Sequence, residues 1–250
     1  MGKVTGIAWT ESTMNFWVGC RKVSAGCTHC YAEKLVQDRM RRPFTEVRRT
    51  RPELWNQAYA WSRKEGALGT KRPVFTCSLS DFFIEDADPW RDDAWKVVHD
   101  TPNLIWQILT KRPERIRSHL PSDWGEEGYP NVWLGTTVEN QEAADKRIGY
   151  LLGVEAKVRF LSVEPMLGKI DVTGFLSSCA CCGISWVICG GESGPGARPM
   201  DPGWAIDLRD QVKGAGAAFF FKQWGGVHDK RAHEKAVLEG RTWTELPVVT

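Results

Sequence analysis

The sequence predicts an α/β fold in which parallel strands alternate with helices, forming a (β/α) barrel, complete or partial. Three observations carry that expectation. Short runs rich in β-branched and aromatic residues begin about thirty residues apart, the size of one βα unit. The runs are near-continuously apolar, as strands buried on both faces must be. Helical patterns occupy the gaps, several with proline near the start or glycine at the end. A doubly wound open sheet is the alternative, because periodicity alone does not show whether a sheet closes.

Taken in order, MNFWVG (14–19) reads as the opening strand, followed by helical patterns in YAEKLVQDRM (31–40) and PELWNQAYAWSRK (52–64). The second strand is VFTCSLS (74–80), and PWRDDAWKVVHD (89–100) follows as a helix with proline in its first turn. NLIWQILT (103–110) is the third strand, with RPERIRSHL (112–120) as its helix. NVWLGTTVE (131–139) and KVRFLSVE (157–164) flank the helical NQEAADKRIGYLLG (140–153). SWVICGGE (185–192) and AAFFFKQW (217–224) flank DPGWAIDLRDQVKGAG (201–216), giving about seven strands. Nothing resembles a linker, so residues 1–250 read as one domain with 226–250 as a C-terminal tail.

At 42% hydrophobic and 26% charged, the 250 residues have the composition of an ordinary globular protein. No apolar run is long enough to cross a bilayer, and MGKVTGIAWTEST lacks the features of a secretory signal. The expected location is the cytoplasm, where the eight cysteines are ligands or core residues in preference to disulfides. The net charge of +2 names no partner. Residues 39–51, RMRRPFTEVRRTR, are less neutral: six arginines and one glutamate form either a solvated segment or a phosphate-binding patch. Most of the thirteen tryptophans are expected in core or rim packing.

The strand ends matter because the carboxyl ends of barrel strands carry the chemistry. They read Ser78-Leu79-Ser80-Asp81, Thr110-Lys111-Arg112, Thr136-Thr137-Val138-Glu139, Ser162-Val163-Glu164, Gly190-Gly191-Glu192 and Lys222-Gln223-Trp224. Each switches from apolar to polar at the same relative place, which suggests a lined pocket. Lys111, Lys222 and Gln223 are candidate pocket residues. For either lysine, an ion pair with Glu139, Glu164 or Glu192 is the commoner fate. Gly190 to Gly196 lacks the Lys-Ser/Thr of a P-loop and reads as a tight turn.

One loop, G-C-R-K-V-S-A-G-C-T-H-C-Y, holds Cys20, Cys27 and Cys30. Three thiolates on an iron–sulfur cube leave one iron with an open position, as a catalytic zinc keeps one position open. The loop resembles that of the radical S-adenosylmethionine superfamily, whose three cysteines hold a [4Fe–4S] cluster after the first barrel strand. Its C-x6-C-x-x-C spacing is three residues longer than the usual C-x-x-x-C-x-x-C.

A longer series carries a second resemblance: W-T-E-S-T-M-N-F-W-V-G-C, C-x-x-C-Y-A-E, S-L-S-D-F-F, L-T-K-R-P-E-R, R-F-L-S-V-E-P-M-L-G and G-G-E-S-G-P-G-A-R-P-M. Together these strings are similar to phage and prophage-type three-cysteine-motif proteins, a radical-SAM-like family. The resemblance implies a radical-SAM-type barrel, a [4Fe–4S] cluster on Cys20, Cys27 and Cys30, S-adenosylmethionine, and an external electron donor. By the same analogy Ser78, Ser80 and Asp81 would face the methionyl amine. Thr136, Thr137, Glu139, Ser162 and Glu164 would lie near ribose and adenine. Gly190, Gly191 and Glu192 are candidate cofactor-binding residues because the glycines permit close backbone approach, although in many superfamily members a similar tripeptide sits on the second strand instead of the sixth run.

Cys179, Cys181 and Cys182 form a second group, a possible zinc site or auxiliary cluster. Cys27-x-x-Cys30 with Cys179-x-x-Cys182 could also make a four-cysteine zinc site, which would leave Cys20 over. Cys77 and Cys189 read as core residues. The expected function is a radical S-adenosylmethionine enzyme modifying or repairing a nucleic acid base or nucleotide. The alternative is a zinc- or cluster-stabilised nucleic-acid-binding protein without catalysis.

Overall fold

The computed structural model describes residues 5–179, 182–226 and 236–248. In chain order the elements begin with β1 (Ser12–Met14), β2 (Trp17–Val18), α1 (Tyr31–Met40), β3 (Arg48–Arg49) and α2 (Pro52–Leu68). There follow β4 (Arg72–Thr76), α3 (Asp88–His99), β5 (Leu104–Thr110), β6 (Val132–Thr137) and α4 (Gln141–Leu152). The chain continues through β7 (Val158–Val163), β8 (Trp186–Gly190), α5 (Pro202–Gly214), β9 (Ala218–Gln223), β10 (Val237–Leu238) and β11 (Arg241–Thr242).

Seven strands form one sheet in the order β1-β4-β5-β6-β7-β8-β9. The order never reverses, so there is no switch point of the doubly wound kind, and β1 and β9 are left as its two ends. This is the α/β partial barrel the sequence predicts. No helix among the described residues is long and apolar enough to cross a membrane.

The chain divides into two compact units, the first made of residues 1–21, 32–134 and 154–157, the second of 22–31, 135–153 and 158–250. In the first unit β1 pairs in parallel with β4, and β4 with β5. Its core is aromatic. Phe16 stacks on Trp106 with ring centroids 5.6 Å apart, Phe82 meets Trp95 edge-on at 5.0 Å, and Trp95 meets Trp124 at 5.4 Å. Buried indoles need hydrogen-bond acceptors as well as contact. Trp17 donates to the Asp81 carbonyl at 2.9 Å and Trp95 to the His119 carbonyl at 2.8 Å.

The opening strand differs from expectation. MNFWVG is apolar because Phe16 and Trp17 are both fully buried, whereas the strand that joins the sheet is the preceding Ser12–Met14. Trp17 and Val18 instead pair antiparallel with Arg49 and Arg48. RPERIRSHL also departs from a helix, breaking into two 3-10 turns at Pro113–Arg115 and Arg117–His119. There Arg115 bonds the Phe83 carbonyl and Asp88, and the His119 ring lies 3.4 Å from Asp88, so both side chains turn toward α3.

In the second unit β7 pairs in parallel with β8, and β8 with β9. Helix α4 starts where Asn140 accepts a hydrogen bond from the Ala143 N–H, and α5 where Asp201 accepts one from Gly203. Of the expected C-terminal tail, the described residues 236–248 pack on the sheet: Phe220 bridges Thr244, Phe221 N–H donates to the Trp243 carbonyl, and buried Trp243 meets Phe219.

Candidate functional site

The first unit carries Cys20 and the polar ends of β4 and β5. Gly19, at φ +106°, lets the chain pass so close that a Cβ there would lie 2.6 Å from the Glu46 carbonyl. The Cys20 N–H then donates to the Phe44 carbonyl at 2.8 Å. Arg112 Nη1 lies 3.8 Å from Cys20 Sγ, and its Nη2 donates to the Arg21 carbonyl at 3.1 Å. A buried guanidinium this close favours the thiolate, the form that ligates metals. Asp81 and Cys20 in turn hold the Arg112 guanidinium above its usual pKa, outweighing the burial that opposes it.

Asp81 is fully engaged within this unit. Thr110 donates to it at 2.6 Å, the Phe83 and Lys111 N–H groups each at 2.9 Å, and Arg112 at 3.2 Å. Ser78 and Leu79 bond the Asn15 side chain, and Ser80 donates to the Gly19 carbonyl. These residues therefore brace the backbone that leads into Cys20. Lys111 makes no ion pair among the described residues.

The second unit carries Cys27 and Cys30 on residues 22–31, with the ends of β6 to β9. Ala25–Cys27 form a 3-10 turn, closed by the Cys27 N–H on the Ser24 carbonyl and the Thr28 N–H on the Ala25 carbonyl. Glu139, at the end of β6 and 1% exposed, accepts the Gly26 N–H at 3.2 Å. Its other oxygen accepts from Arg147 at 2.7 Å. Thr136 and Thr137 are buried in β6, and the Thr137 carbonyl also accepts from Arg147.

On β7 and β9, Lys222 pairs with Glu164 at 2.7 Å, which is the commoner fate foreseen for such a lysine. Ser162 donates to Glu164 at 3.4 Å. Gln223 donates from its side chain to the Gly191 carbonyl at 2.8 Å. Gly190 and Gly191 are glycine for reasons of space: a Cβ on the first would lie 2.8 Å from Glu164 Oε1, and on the second 1.9 Å from the Trp224 carbonyl oxygen.

Glu192 has the densest environment. Its carboxylate accepts from Arg198 N and Nε, each at 2.9 Å, and from Nη2 at 2.5 Å. His29 Nδ1 is 2.9 Å from the same carboxylate. Burial opposes its ionisation, yet the donors from Arg198 and His29 hold the carboxyl down to about 2. An ionised carboxylate is acceptor-only, so His29 donates from Nδ1. Arg147 and Arg198 lie outside the strand ends read from the sequence, and Arg112 stands in one of them without a role of its own.

Cys20 in the first unit, and Cys27 and Cys30 in the second, are of the residue type that ligates iron–sulfur clusters. None of the three is in a disulfide and all are half-buried, open to a ligand yet partly shielded. By contrast Cys77 and Cys189 are buried, and burial pushes both thiols up, as core cysteines should be. Among the described residues no group of three or more His, Cys, Asp or Glu is gathered in position to hold an ion. Cys179 and Cys182 are exposed and share a turn, the Cys182 N–H on the Cys179 carbonyl at 3.1 Å. Cys181 lies outside the described residues.

Two solved structures of spore photoproduct lyase share this fold. One, a double mutant with bound AdoMet and dinucleoside spore photoproduct, is 12% identical with a TM-score of 0.52, over 98% of this chain and 66% of that one. The present chain thus spans just under two thirds of that structure's length. The second, a single mutant, is 12% identical with a TM-score of 0.53, over 88% of this chain and 79% of that one. The likeness is one of fold, an α/β partial barrel. No curated protein matches. The family described as "Protein of unknown function (DUF5131)" matches residues 4–247, nearly the whole length, and the chain belongs to that family.

Proposed function

We propose that the protein is a radical S-adenosylmethionine enzyme whose Cys20, Cys27 and Cys30 hold a [4Fe–4S] cluster and whose substrate is a nucleic acid base or nucleotide. The observation that carries the reading is the combination of a three-cysteine loop after the first strand with this partial-barrel fold. Such a cluster, when bound, supplies one electron to the sulfonium of S-adenosylmethionine, releasing methionine and a 5′-deoxyadenosyl radical that takes a hydrogen atom from the substrate.

The chain's own residues set the stage. Arg112 lies against the Cys20 sulfur, where its charge favours a thiolate ligand, and Asp81 keeps Arg112 in place. By the resemblance, Ser78 and Ser80 of the first unit, and Thr136, Thr137, Ser162, Glu164 and the Gly190–Gly191 backbone of the second, are the groups that would bond amine, ribose and adenine. An external reductant completes the reaction.

Two observations support a nucleic acid substrate. A neighbour of the same fold holds a dinucleoside photoproduct. Arg39, Arg41, Arg42 and Arg51 are exposed and make no ion pair among the described residues, while Arg49 is committed to Asp93 at 2.8 Å and to the face of Trp55. Unpaired guanidinium groups are the electrostatic footprint of a phosphate backbone. The strings similar to phage and prophage three-cysteine proteins add to this reading.

Anaerobic reconstitution with iron and sulfide tests it. A brown protein that consumes S-adenosylmethionine and releases 5′-deoxyadenosine under reducing conditions is expected. Stoichiometric zinc without iron would favour the binding-module alternative. Binding to an oligonucleotide should weaken steeply with salt, and Arg41→Ala with Arg42→Ala should reduce that salt slope by about 2.

A further inference from the structure

The turn from Glu192 to Arg198 does more than line a cofactor. Glu192 receives four donors, three on Oε2 and one on Oε1, so protein groups take up most of its accepting capacity. The same Arg198 Nη2 also donates to the Ala25 carbonyl at 3.0 Å. Through His29 and Ala25, the pair therefore grips the segment that carries Cys27 and Cys30. A second pair, Glu139 with Arg147, buried on both sides, grips it again at the Gly26 N–H.

The backbone fits these contacts closely. Gly194 and Gly196, both at positive φ, turn the chain from Glu192 back to Arg198. A Cβ on Gly196 would lie 3.4 Å from His29 Nε2, and one on Gly26 would lie 3.1 Å from the Glu139 carboxyl carbon. The loop thus approaches its two holding pairs at glycines, where nothing intervenes.

We propose that Glu192–Arg198 and Glu139–Arg147 are positioning pairs that hold residues 25–29 in one conformation before any metal arrives, so that Cys27 and Cys30 meet a ligand already oriented. What those thiols bind rests on the function proposed above; the holding does not. Preset ligands spare the ordering entropy that a slack loop would lose on binding.

Hydrogen exchange on the metal-free full-length chain tests the holding. In Arg198→Ala, amides within residues 22–31 should exchange at least about tenfold faster, as expected for loss of hydrogen bonds to a charged group. Alkylation of Cys27 and Cys30 should accelerate relative to Cys179 and Cys182. Glu192→Gln, nearly the same shape, should act in the same direction, and Arg198→Lys should restore the charge without restoring slow exchange. Unchanged exchange at 22–31 in both Arg198→Ala and Glu192→Gln would overturn the proposal. So would acceleration spread evenly over residues 135–226, the mark of general loosening. Should Arg198→Ala fail to fold, Glu192→Gln decides. Iron uptake by the unaltered chain is read separately: if it takes up none while exchange responds as stated, the holding stands and the cluster reading falls.

Discussion

The carboxylates at the strand ends of the two units do different work. In the first unit Asp81 is satisfied by near neighbours on β5 and its own loop: Thr110, the Lys111 and Phe83 N–H groups, and Arg112. In the second, Glu192 reaches His29, 163 positions away in sequence, and Glu139 reaches Gly26, 113 positions away. One carboxylate ties neighbouring strands together; the others tie the sheet to the cysteine segment. Similar spelling at a strand end therefore conceals two roles, one of stability and one of placement. Substitutions that separate stability from loop order expose the difference.

The largest effect should come from Asp81→Ala. It leaves the Arg112 guanidinium, only 4% exposed, with the half-exposed Glu85 as its remaining carboxylate at 3.4 Å, and strips the acceptor from Thr110 and two backbone N–H groups, a loss of about 3–5 kcal/mol. Urea denaturation measures this, and an unmoved midpoint would contradict the structural role. Trp95→Ala, removing an indole packed against Phe82 and Trp124, should cost a similar ~3–5 kcal/mol and leave exchange at residues 22–31 untouched. Gly191→Ala forces a Cβ toward the Trp224 carbonyl oxygen, a backbone atom that cannot swing aside. A loss of about 1–3 kcal/mol is expected, with the β8–β9 ends displaced in amide spectra.

A pH series sharpens the comparison. The folded-state carboxyl of Glu192 sits at about 2, against an ordinary 4.5, so the unfolded chain binds its proton more readily. Its contribution, on the order of 3 kcal/mol, is present above about pH 4.5 and is lost as pH falls toward 2. The stability gap between the unaltered chain and Glu192→Gln should be full at neutral pH and close across that window. A gap that widened on acidification would reverse the assignment. The smallest effect is expected from Glu46→Ala, whose exposed pairing with Arg48 should be worth under about 1 kcal/mol.

Much of the architecture was legible because buried parallel strands spell themselves as apolar runs at βα spacing. The monotone strand order was not, since periodicity carries no information on which strand neighbours which. The opening strand was misplaced for a physical reason: Phe16 and Trp17 are apolar because they fill an aromatic core, while the strand itself is only Ser12–Met14. The turns at Pro113–Arg115 and Arg117–His119 read as a helix because their pull toward Asp88 is tertiary.

At the site, cysteines and strand-end carboxylates announced themselves by residue type. Their pairing with arginines did not, the partners lying 31, 8 and 6 positions from Asp81, Glu139 and Glu192. Arg112 stands in a strand end, T-K-R, and Arg198 closes a glycine-rich turn that starts from an acid, E-S-G-P-G-A-R, whereas Arg147 left no such trace.

The central claim is that the three-cysteine loop serves S-adenosylmethionine chemistry. Its most direct test is an anaerobic assay of the reconstituted chain with dithionite and S-adenosylmethionine, reading 5′-deoxyadenosine beside iron content. The account predicts about four irons per chain, with 5′-deoxyadenosine formed by the unaltered protein and lost in Cys27→Ala or Cys30→Ala. A colourless chain free of iron, or an iron-loaded one that leaves S-adenosylmethionine intact, would contradict it.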